Sequence, residues 1–264
     1  MAAHHTDSGS MASYLVPWLL ITVLLAAYIG AVIQQKRAAK HWSNWRTGGF
    51  ILGCGLLIVA MSPELVKYAH HDLRGHMIQH LLVGMLAPLG LVLAAPVTLA
   101  LRALPVHASR SITAILKSKP VHLLSHPVTA LLLNVGGMYV LYLTPLYSLT
   151  LTTPSLHHLV HIHFLLAGCL FVWAIAGPDP NPNRAGKYTR LAVLFLSMAA
   201  HAYLSKFMYA YSWPRNTPHD IEQIQEAAQL MYYGGDFAEL LLAVAFFAGW
   251  YRRRKSAAYR LQEV

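Results

Sequence analysis

Apolar residues fall into seven long runs that short polar segments separate. Most of these runs are close to the roughly 20 residues that an α-helix needs to cross a bilayer. The pattern therefore predicts an all-α, polytopic membrane protein, built as a bundle of seven transmembrane helices. The runs cover residues 15–33, 50–65, 75–103, 127–147, 158–176, 191–211 and 230–250.

The third run is longer than one span needs and contains Pro88 and Pro96. Proline removes a helical hydrogen bond, so we expect a kink or a change of direction there. No low-complexity linker divides the chain, which indicates one domain. We expect an outer N-terminal tail at 1–14, the transmembrane domain at 15–251 and a basic cytoplasmic tail at 252–264.

Composition supports a membrane location. Hydrophobic residues make up 56% of the chain and charged residues only 11%, whereas a soluble domain has about 25% charged residues. No basic residue precedes the first apolar run, which argues against a cleaved signal peptide. Cys54 and Cys169 stand alone in separate runs, so neither a thiol metal-transfer pair nor a redox pair is indicated.

The net charge of +10 is explained by its distribution along the chain, and it does not require a nucleic-acid partner. If the loops alternate between the two sides, 16 of the 20 Lys and Arg residues fall on one side. The positive-inside rule places that side in the cytoplasm. The N-terminus is then outside and the C-terminus cytoplasmic, in a bacterial inner (plasma) membrane.

Histidines collect on the opposite, outer side, at the starts of the third and fifth predicted helices. His76 and His80 are four residues apart and share a helix face, as do His157 and His161. His158 and His161 form the related three-residue spacing. Imidazole is a favoured ligand for copper, zinc and iron, so histidines from two helices can enclose one ion.

Other ionisable groups lie inside the predicted spans, where such residues are functional candidates. His201 falls near the middle of the sixth helix, and Asp236 and Glu239 fall near the start of the seventh. We expect Lys206 either to pair with Asp236 or to extend towards the interface. The thioether of Met77 is a further candidate to assist a cuprous ion.

Four segments, in this order and spacing, resemble the seven-helix cytochrome c oxidase assembly factors called CtaG, of the caa3-oxidase type. They are HMIQHLLVGMLAPLGLVLAAP, HHLVHIHFLLAGCLFVWAIAGPDP, MAAHAYLSKFMYA and YYGGDFAELLLA. The resemblance extends from about Trp42 to Arg252. Residue by residue, it implies a metal site that includes His76, His80, His158, His161, His163, His201 and Asp236. Their positions in the predicted spans make Lys206, Met77 and Glu239 candidates to lie around this site or to form an ion pair with it.

The resemblance also implies a function. The family is associated with maturation of heme–copper oxidases through supply of copper to the buried CuB centre. It implies a non-enzymatic protein that binds Cu(I) on the outer side. Its partners would be the oxidase catalytic subunit, membrane lipid and an outer copper donor protein, with no nucleic acid.

Three alternatives remain open at the level of sequence. Histidines on two helices could be axial ligands of a b-type heme. The HxxxH and HxxHH boxes superficially match those of membrane di-iron desaturases, although charge places them on the wrong side for that class. A copper transporter would need polar groups continuing to the cytoplasmic side, and none is evident below His201 in the third, fifth or seventh helices.

Overall fold

The structure, a computed structural model, describes the backbone of residues 8–262 and the side chains of residues 15–252 and 254. Within this part of the chain all regular structure is helical, with no strand. Two π-helical turns, Leu82–Leu86 and Leu132–Gly136, interrupt otherwise α-helical segments. The α-helices are α1 (Ser8–Arg37), α2 (Asn44–Ala60), α3 (Pro63–His71), α4 (Leu73–Leu81), α5 (Ala87–Leu93), α6 (Pro96–Ala103), α7 (Val106–Leu116), α8 (Lys119–Leu124), α9 (Pro127–Leu131), α10 (Gly137–Leu143), α11 (Leu146–Thr152), α12 (Pro154–Ile175), α13 (Lys187–Tyr211) and α14 (Ile221–Gln262).

Among the described residues, five helical segments are long and apolar enough to cross a membrane, or up to seven if each of two bent pairs counts as one span. The pairs are α2 with α3, bent by 54°, and α9–α10 with α11, bent by 76°. The predicted runs 50–65 and 127–147 are therefore each divided between two helices that meet at a bend. The other five segments are Leu15–Arg37, Leu73–Ala103, Pro154–Ile175, Lys187–Tyr211 and Ile221–Arg252.

Local sequence explains both bends. Ser62 caps α3 by accepting a hydrogen bond from the Leu65 amide at 3.4 Å, and Pro63 occupies the first helical position. Thr144 is extended, and its hydroxyl accepts from the Leu146 amide at 3.2 Å. Serine, threonine and proline are preferred where helices begin, so both runs end one helix and start another.

The long third run is interrupted where Pro96 predicts a change of direction. Ala95 adopts a left-handed conformation, with φ 57°, immediately before Pro96 begins α6. The Asp179 carboxylate, from the loop after α12, accepts hydrogen bonds from the amides of Val97 and Thr98 at 3.1 and 2.7 Å. An acidic side chain distant in sequence thus caps this helix.

The core lies between α4, α9–α10, α12, α13 and α14, and a second apolar cluster joins α1 and α2 to α5. The outer surface of the bundle remains strongly apolar. Leu19, Leu20 and Val23 of α1 and Leu166 of α12 are all exposed, as expected of side chains that face lipid.

Contacts divide the bundle into two chemically different ends. At what we call the histidine-rich end, His70, His76, His157, His161 and His219 meet, from the starts of α4 and α12 and from neighbouring segments. At the basic end, the guanidinium groups of Arg46 and Arg102 lie over the ring of Trp42. Arg190 lies over Phe246 at the same end. Each of the two groups of loops that differ in charge along the sequence therefore lies at its own end of the bundle.

Candidate metal site at the histidine-rich end

Four imidazole rings form a row that runs from the surface into the bundle. Ring centroids are 4.7 Å apart between His70 and His157, 4.3 Å between His157 and His161, and 6.1 Å between His161 and His76. His70 is exposed, whereas His76 is only 3% exposed. The row, which we call the histidine row, joins α3, α12 and α4. The helical histidine pairs predicted from sequence do meet, through His76 and His161.

His161 has a hydrogen-bond acceptor beside each ring nitrogen, and in one tautomer its Nε2 is free to act as a metal ligand. Its Nδ1 lies 2.9 Å from the His157 carbonyl oxygen, and its Nε2 lies 2.9 Å from Oε1 of Gln79. Both neighbours are acceptors, and a neutral imidazole has a single N–H. An Nδ1–H that donates to the helical carbonyl fixes the tautomer, as in many metal-binding histidines. The Nε2 lone pair then faces the Gln79 oxygen, which a cation would displace.

His76 offers a second position. Its Nε2 is buried and has no hydrogen-bond partner among the described residues. The ring packs edge-on against Tyr147 and Tyr142, with centroid distances of 4.9 and 6.1 Å. A buried polar atom without a partner is costly and is often explained by an absent ion or water. This orphaned nitrogen fits a metal ligand.

His80 extends the row by one helical turn. Like His76, it packs edge-on against Tyr142, so the two share the helix face that their spacing predicts. Its Nε2 lies 3.1 Å from Sδ of Met138, which places an imidazole and a thioether side by side. The predicted thioether of Met77 instead accepts a hydrogen bond from Tyr142 at 3.9 Å.

Ion pairs and hydrogen bonds hold the rim of this end together. Arg74 Nε lies 3.0 Å from both carboxylate oxygens of Asp72, and its Nη1 lies 2.6 Å from Glu226. The hydrogen bond from Arg74 lowers the pKa of Asp72. His219 Nε2 lies 3.0 Å from the Tyr147 hydroxyl, and burial lowers the pKa of this histidine. These contacts tie α4 to α14 and fix the position of His76.

Two histidines of the fifth predicted helix lie outside the row. His158 is exposed, and its ring stands 5.9 Å from that of His157. It lines, with His161, an apolar groove of about 480 Å³ between α1, α2 and α12. His163 directs Nε2 at the Leu133 carbonyl oxygen, 3.0 Å away. Because His161 and His163 are two residues apart on one helix, their side chains lie on nearly opposite faces and contact different neighbours.

The remaining predicted residues lie deeper or on other faces. His201 is fully buried, and neither ring nitrogen has a hydrogen-bond partner among the described residues. Asp236 is half-buried well inside α14, which begins at Ile221, so its predicted position near a helix start is wrong. No ion pair joins it to Lys206, whose Nζ lies 5.1 Å from the Tyr232 ring centroid. Glu239 is buried and accepts a hydrogen bond from Ser197 at 3.1 Å.

Across the described side chains, no three His, Cys, Asp or Glu residues converge closely enough to hold a metal ion together. The row instead offers imidazoles in successive neighbouring pairs. Residues that the spacing of histidines along the chain did not single out also contact these rings. Gln79 and Met138 reach it through contacts between helices, which a single sequence does not indicate.

The comparison with protein families adds the decisive observation. Residues 26–253 match the family described as cytochrome c oxidase caa3 assembly factor (Caa3_CtaG). The chain belongs to this family. The matched segment contains every residue of the histidine row, together with His201, Asp236 and Glu239. The description of the family is that of an assembly factor for cytochrome c oxidase.

Longer mycobacterial proteins contain regions similar to this Caa3_CtaG member. Uncharacterized protein ML1998 of Mycobacterium leprae is 31% identical over 257 residues, which are 90% of this chain and 39% of that protein. Uncharacterized proteins Mb0105 of Mycobacterium bovis and MT0111 of Mycobacterium tuberculosis are each 36% identical over 188 residues, 69% of this chain and 28% of theirs. The chain thus spans well under half the length of these relatives. No solved structure matches it.

Proposed function

We propose that this assembly factor binds Cu(I) along the histidine row and supplies it to the CuB centre of a heme–copper oxidase. The observation that carries the proposal is the row itself, which leads from exposed His70 to the orphaned nitrogen of buried His76. Ligands that continue from the solvent-exposed surface into the bundle are expected of a protein that transfers a metal ion and does not retain it as a cofactor.

Ligand chemistry favours Cu(I) on this row. Imidazole nitrogens bind copper, and buried imidazoles are neutral, so their lone pairs are available. Because the rings stand in pairs, an ion held by His157 and His161 can pass to His161 and His76 by ligand exchange. One Cu–N bond breaks as another forms, and copper remains Cu(I), so neither an oxidant nor a reductant is required.

The groove beside the row offers a lateral exit. His158 and His161 lie at its wall, and the remaining lining residues, from α1, α2, α12 and the Leu82–Leu86 turn, are apolar. A transmembrane helix of the oxidase catalytic subunit could pack there from the lipid side. Its copper ligands would then come next to His161 without leaving the membrane.

Topology follows from the two ends of the bundle. We propose seven spans in a bacterial inner membrane, with the histidine-rich end and the N-terminus outside and the basic end in the cytoplasm. An outer copper donor protein would then deliver its ion at His70. The protein acts as a metallochaperone surrounded by lipid, with no catalytic step of its own and no nucleic-acid partner.

The test measures Cu(I) binding by the full chain in detergent, against a competing Cu(I) chelator and without oxygen. Replacing His76 and His161 together by Ala should weaken binding by at least about tenfold, as loss of metal-site groups commonly does. The same variant should lower the CuB content of the oxidase in cells. His163→Ala is the matched control, because this histidine lies on the same helix but faces Leu133.

Equal copper binding by the double variant and the wild type would refute the proposal. A Soret band in the purified protein that disappears with His76 and His161 would identify heme as the ligand instead. The close packing of neighbouring rings, at 4.3 to 6.1 Å, already leaves little space for a porphyrin between them.

A further inference from the structure

A small internal cavity lies deeper in the bundle than the histidine row. Its volume is about 20 Å³, enough for one water molecule or one ion. Most of its wall is apolar, but the polar residues Asn134, Ser197 and Glu239 line it, together with Met85 and Met138. Such a cluster inside a membrane-spanning bundle requires an explanation.

Glu239 is the residue of this cavity whose burial costs the most free energy, because its side chain is ionisable. It is only 3% exposed, and its Oε1 accepts a hydrogen bond from Ser197. Its Oε2 is buried and has no partner among the described residues. Both ion pairs found in the described part of the chain involve Arg74, at the rim. A buried carboxylate needs a cation or a proton.

The cavity is also connected to the row. Met138, on its wall, lies 3.1 Å from Nε2 of His80, one turn below His76. An imidazole and a thioether therefore stand side by side between the histidine row and the cavity. Thioether sulfur is a soft ligand that favours Cu(I).

Both π-helical turns border this cavity. Gly84 and Met85 come from the turn Leu82–Leu86, and Asn134 comes from the turn Leu132–Gly136. π-Helical turns inside α-helices occur frequently at functional sites, because they displace the ladder of backbone hydrogen bonds. Here they bring Met85 and Asn134 to the wall of the same cavity.

We propose that this cavity is a second, inner Cu(I) site, in which Met85 and Met138 bind the ion and Glu239 neutralises its charge. The inference rests on the proposed function, since the ion would reach the cavity from His76 through His80. At the last step a Cu–N bond to His80 breaks as a Cu–S bond to Met138 forms. Copper remains Cu(I), and no electron is transferred.

The test counts Cu(I) ions per full-length chain without oxygen and looks for copper–sulfur scattering by X-ray absorption. Wild type should bind two ions, one of them with sulfur ligands. Glu239→Gln and Met138→Leu should each reduce the count to one and remove the sulfur signal. Glu222→Gln, an exposed acid on the same helix, and Met198→Leu, outside the cavity, are matched controls that should retain both ions.

The outcomes separate this inference from the proposed function. One ion per chain, lost with His76 and His161 but not with Glu239 or Met138, overturns the inner site and leaves the row intact. No bound copper in wild type overturns both. An infrared band of a carboxylic acid that Glu239→Gln removes, with copper unchanged, assigns Glu239 to a proton. Because Met138→Leu retains an apolar side chain of similar size, it tests the site even if Glu239→Gln fails to fold.

Discussion

The imidazole rings of His76 on α4 and His161 on α12 meet almost at right angles, with centroids 6.1 Å apart and an interplanar angle of 82°. This contact joins two histidine pairs that are far apart in sequence. It also brings the orphaned Nε2 of His76 into the same cluster as His161, whose Nδ1 is held by a backbone carbonyl. The row therefore depends on the packing of α4 against α12.

Adjacent histidines of α12 should behave differently. His157 is buried between the rings of His70 and His161, whereas His158 is exposed. We expect His157→Ala to weaken Cu(I) binding roughly tenfold or more and His158→Ala to leave it unchanged. Chelator competition on the two purified variants measures both. Equal losses would mean that the ion is held at the rim and not along the row.

Spacing along the chain could predict the helical pairs His76–His80 and His157–His161, because a helical period is local information. It could not predict which faces meet. Gln79 contacts His161 and Met138 contacts His80, although spacing along the chain singles out neither residue. These features depend on the rotation of each helix about its axis, which packing between helices sets.

The Asp72–Arg74 pair should make stability depend on pH. The hydrogen bond from Arg74 lowers the pKa of Asp72 in the folded state. The contribution of the Asp72 carboxylate to the free energy of unfolding is therefore present above the carboxyl pKa of the unfolded chain. This contribution is lost as the pH falls through the pKa of the folded state. Asp72→Asn should therefore be less stable than wild type at neutral pH. The difference should close below about pH 4.

Thermal unfolding at several pH values in one detergent measures this effect. Glu222→Gln removes an exposed acid at the start of α14 and serves as the control. A constant difference between Asp72→Asn and wild type down to the most acidic pH would show that Asp72 acts through packing and not through its charge.

Close approach of α12 to the Leu82–Leu86 turn should make Gly168 intolerant of a side chain. A Cβ at this position would collide with the Gly84 carbonyl oxygen, which is backbone and cannot move aside alone. Gly168→Ala should cost about 1–3 kcal/mol of unfolding free energy. At Gly55 in α2 a Cβ would meet nothing within 4 Å, so Gly55→Ala should be neutral or stabilising. Thermal unfolding compares the two, and equal effects would contradict the close contact.

The Asp179 carboxylate should be essential at the basic end. It is 2% exposed and satisfies the amides of Val97 and Thr98 at the start of α6. Asp179→Ala would leave both part-buried amides without this partner and should cost about 1–3 kcal/mol in total. Asp220 accepts from Gln223 at the start of α14 but is exposed, so Asp220→Ala should cost only about 1 kcal/mol. A smaller loss at Asp179 than at Asp220, measured by denaturant unfolding, would contradict this role.

The all-helical character of the described chain and its five to seven candidate spans could be predicted, because the length of an apolar run is a strong local signal. The bends after Ala60 and at Thr144 are encoded by Ser62–Pro63 and Thr144–Pro145, yet continued hydrophobicity across them hides the break. The π-helical turns have no comparable signal. Gly84 and Asn134, one from each turn, line the same cavity, and this arrangement is known only from the folded bundle.

Lys206 and Asp236 should be energetically independent, although their positions in sequence predict a pair. The Lys206 ammonium lies over Tyr232, and no ion pair links it to the acid. In a double-mutant cycle, Lys206→Met and Asp236→Asn should therefore be additive within about 0.5 kcal/mol. The cycle of Lys206→Met with Tyr232→Leu should show coupling of about 0.5–1 kcal/mol, as expected of an exposed cation–π contact. Thermal unfolding of the single and double variants gives both values. Coupling above about 1 kcal/mol between Lys206 and Asp236 would restore the ion pair and would mean that the acid is held by the lysine and not available to a metal.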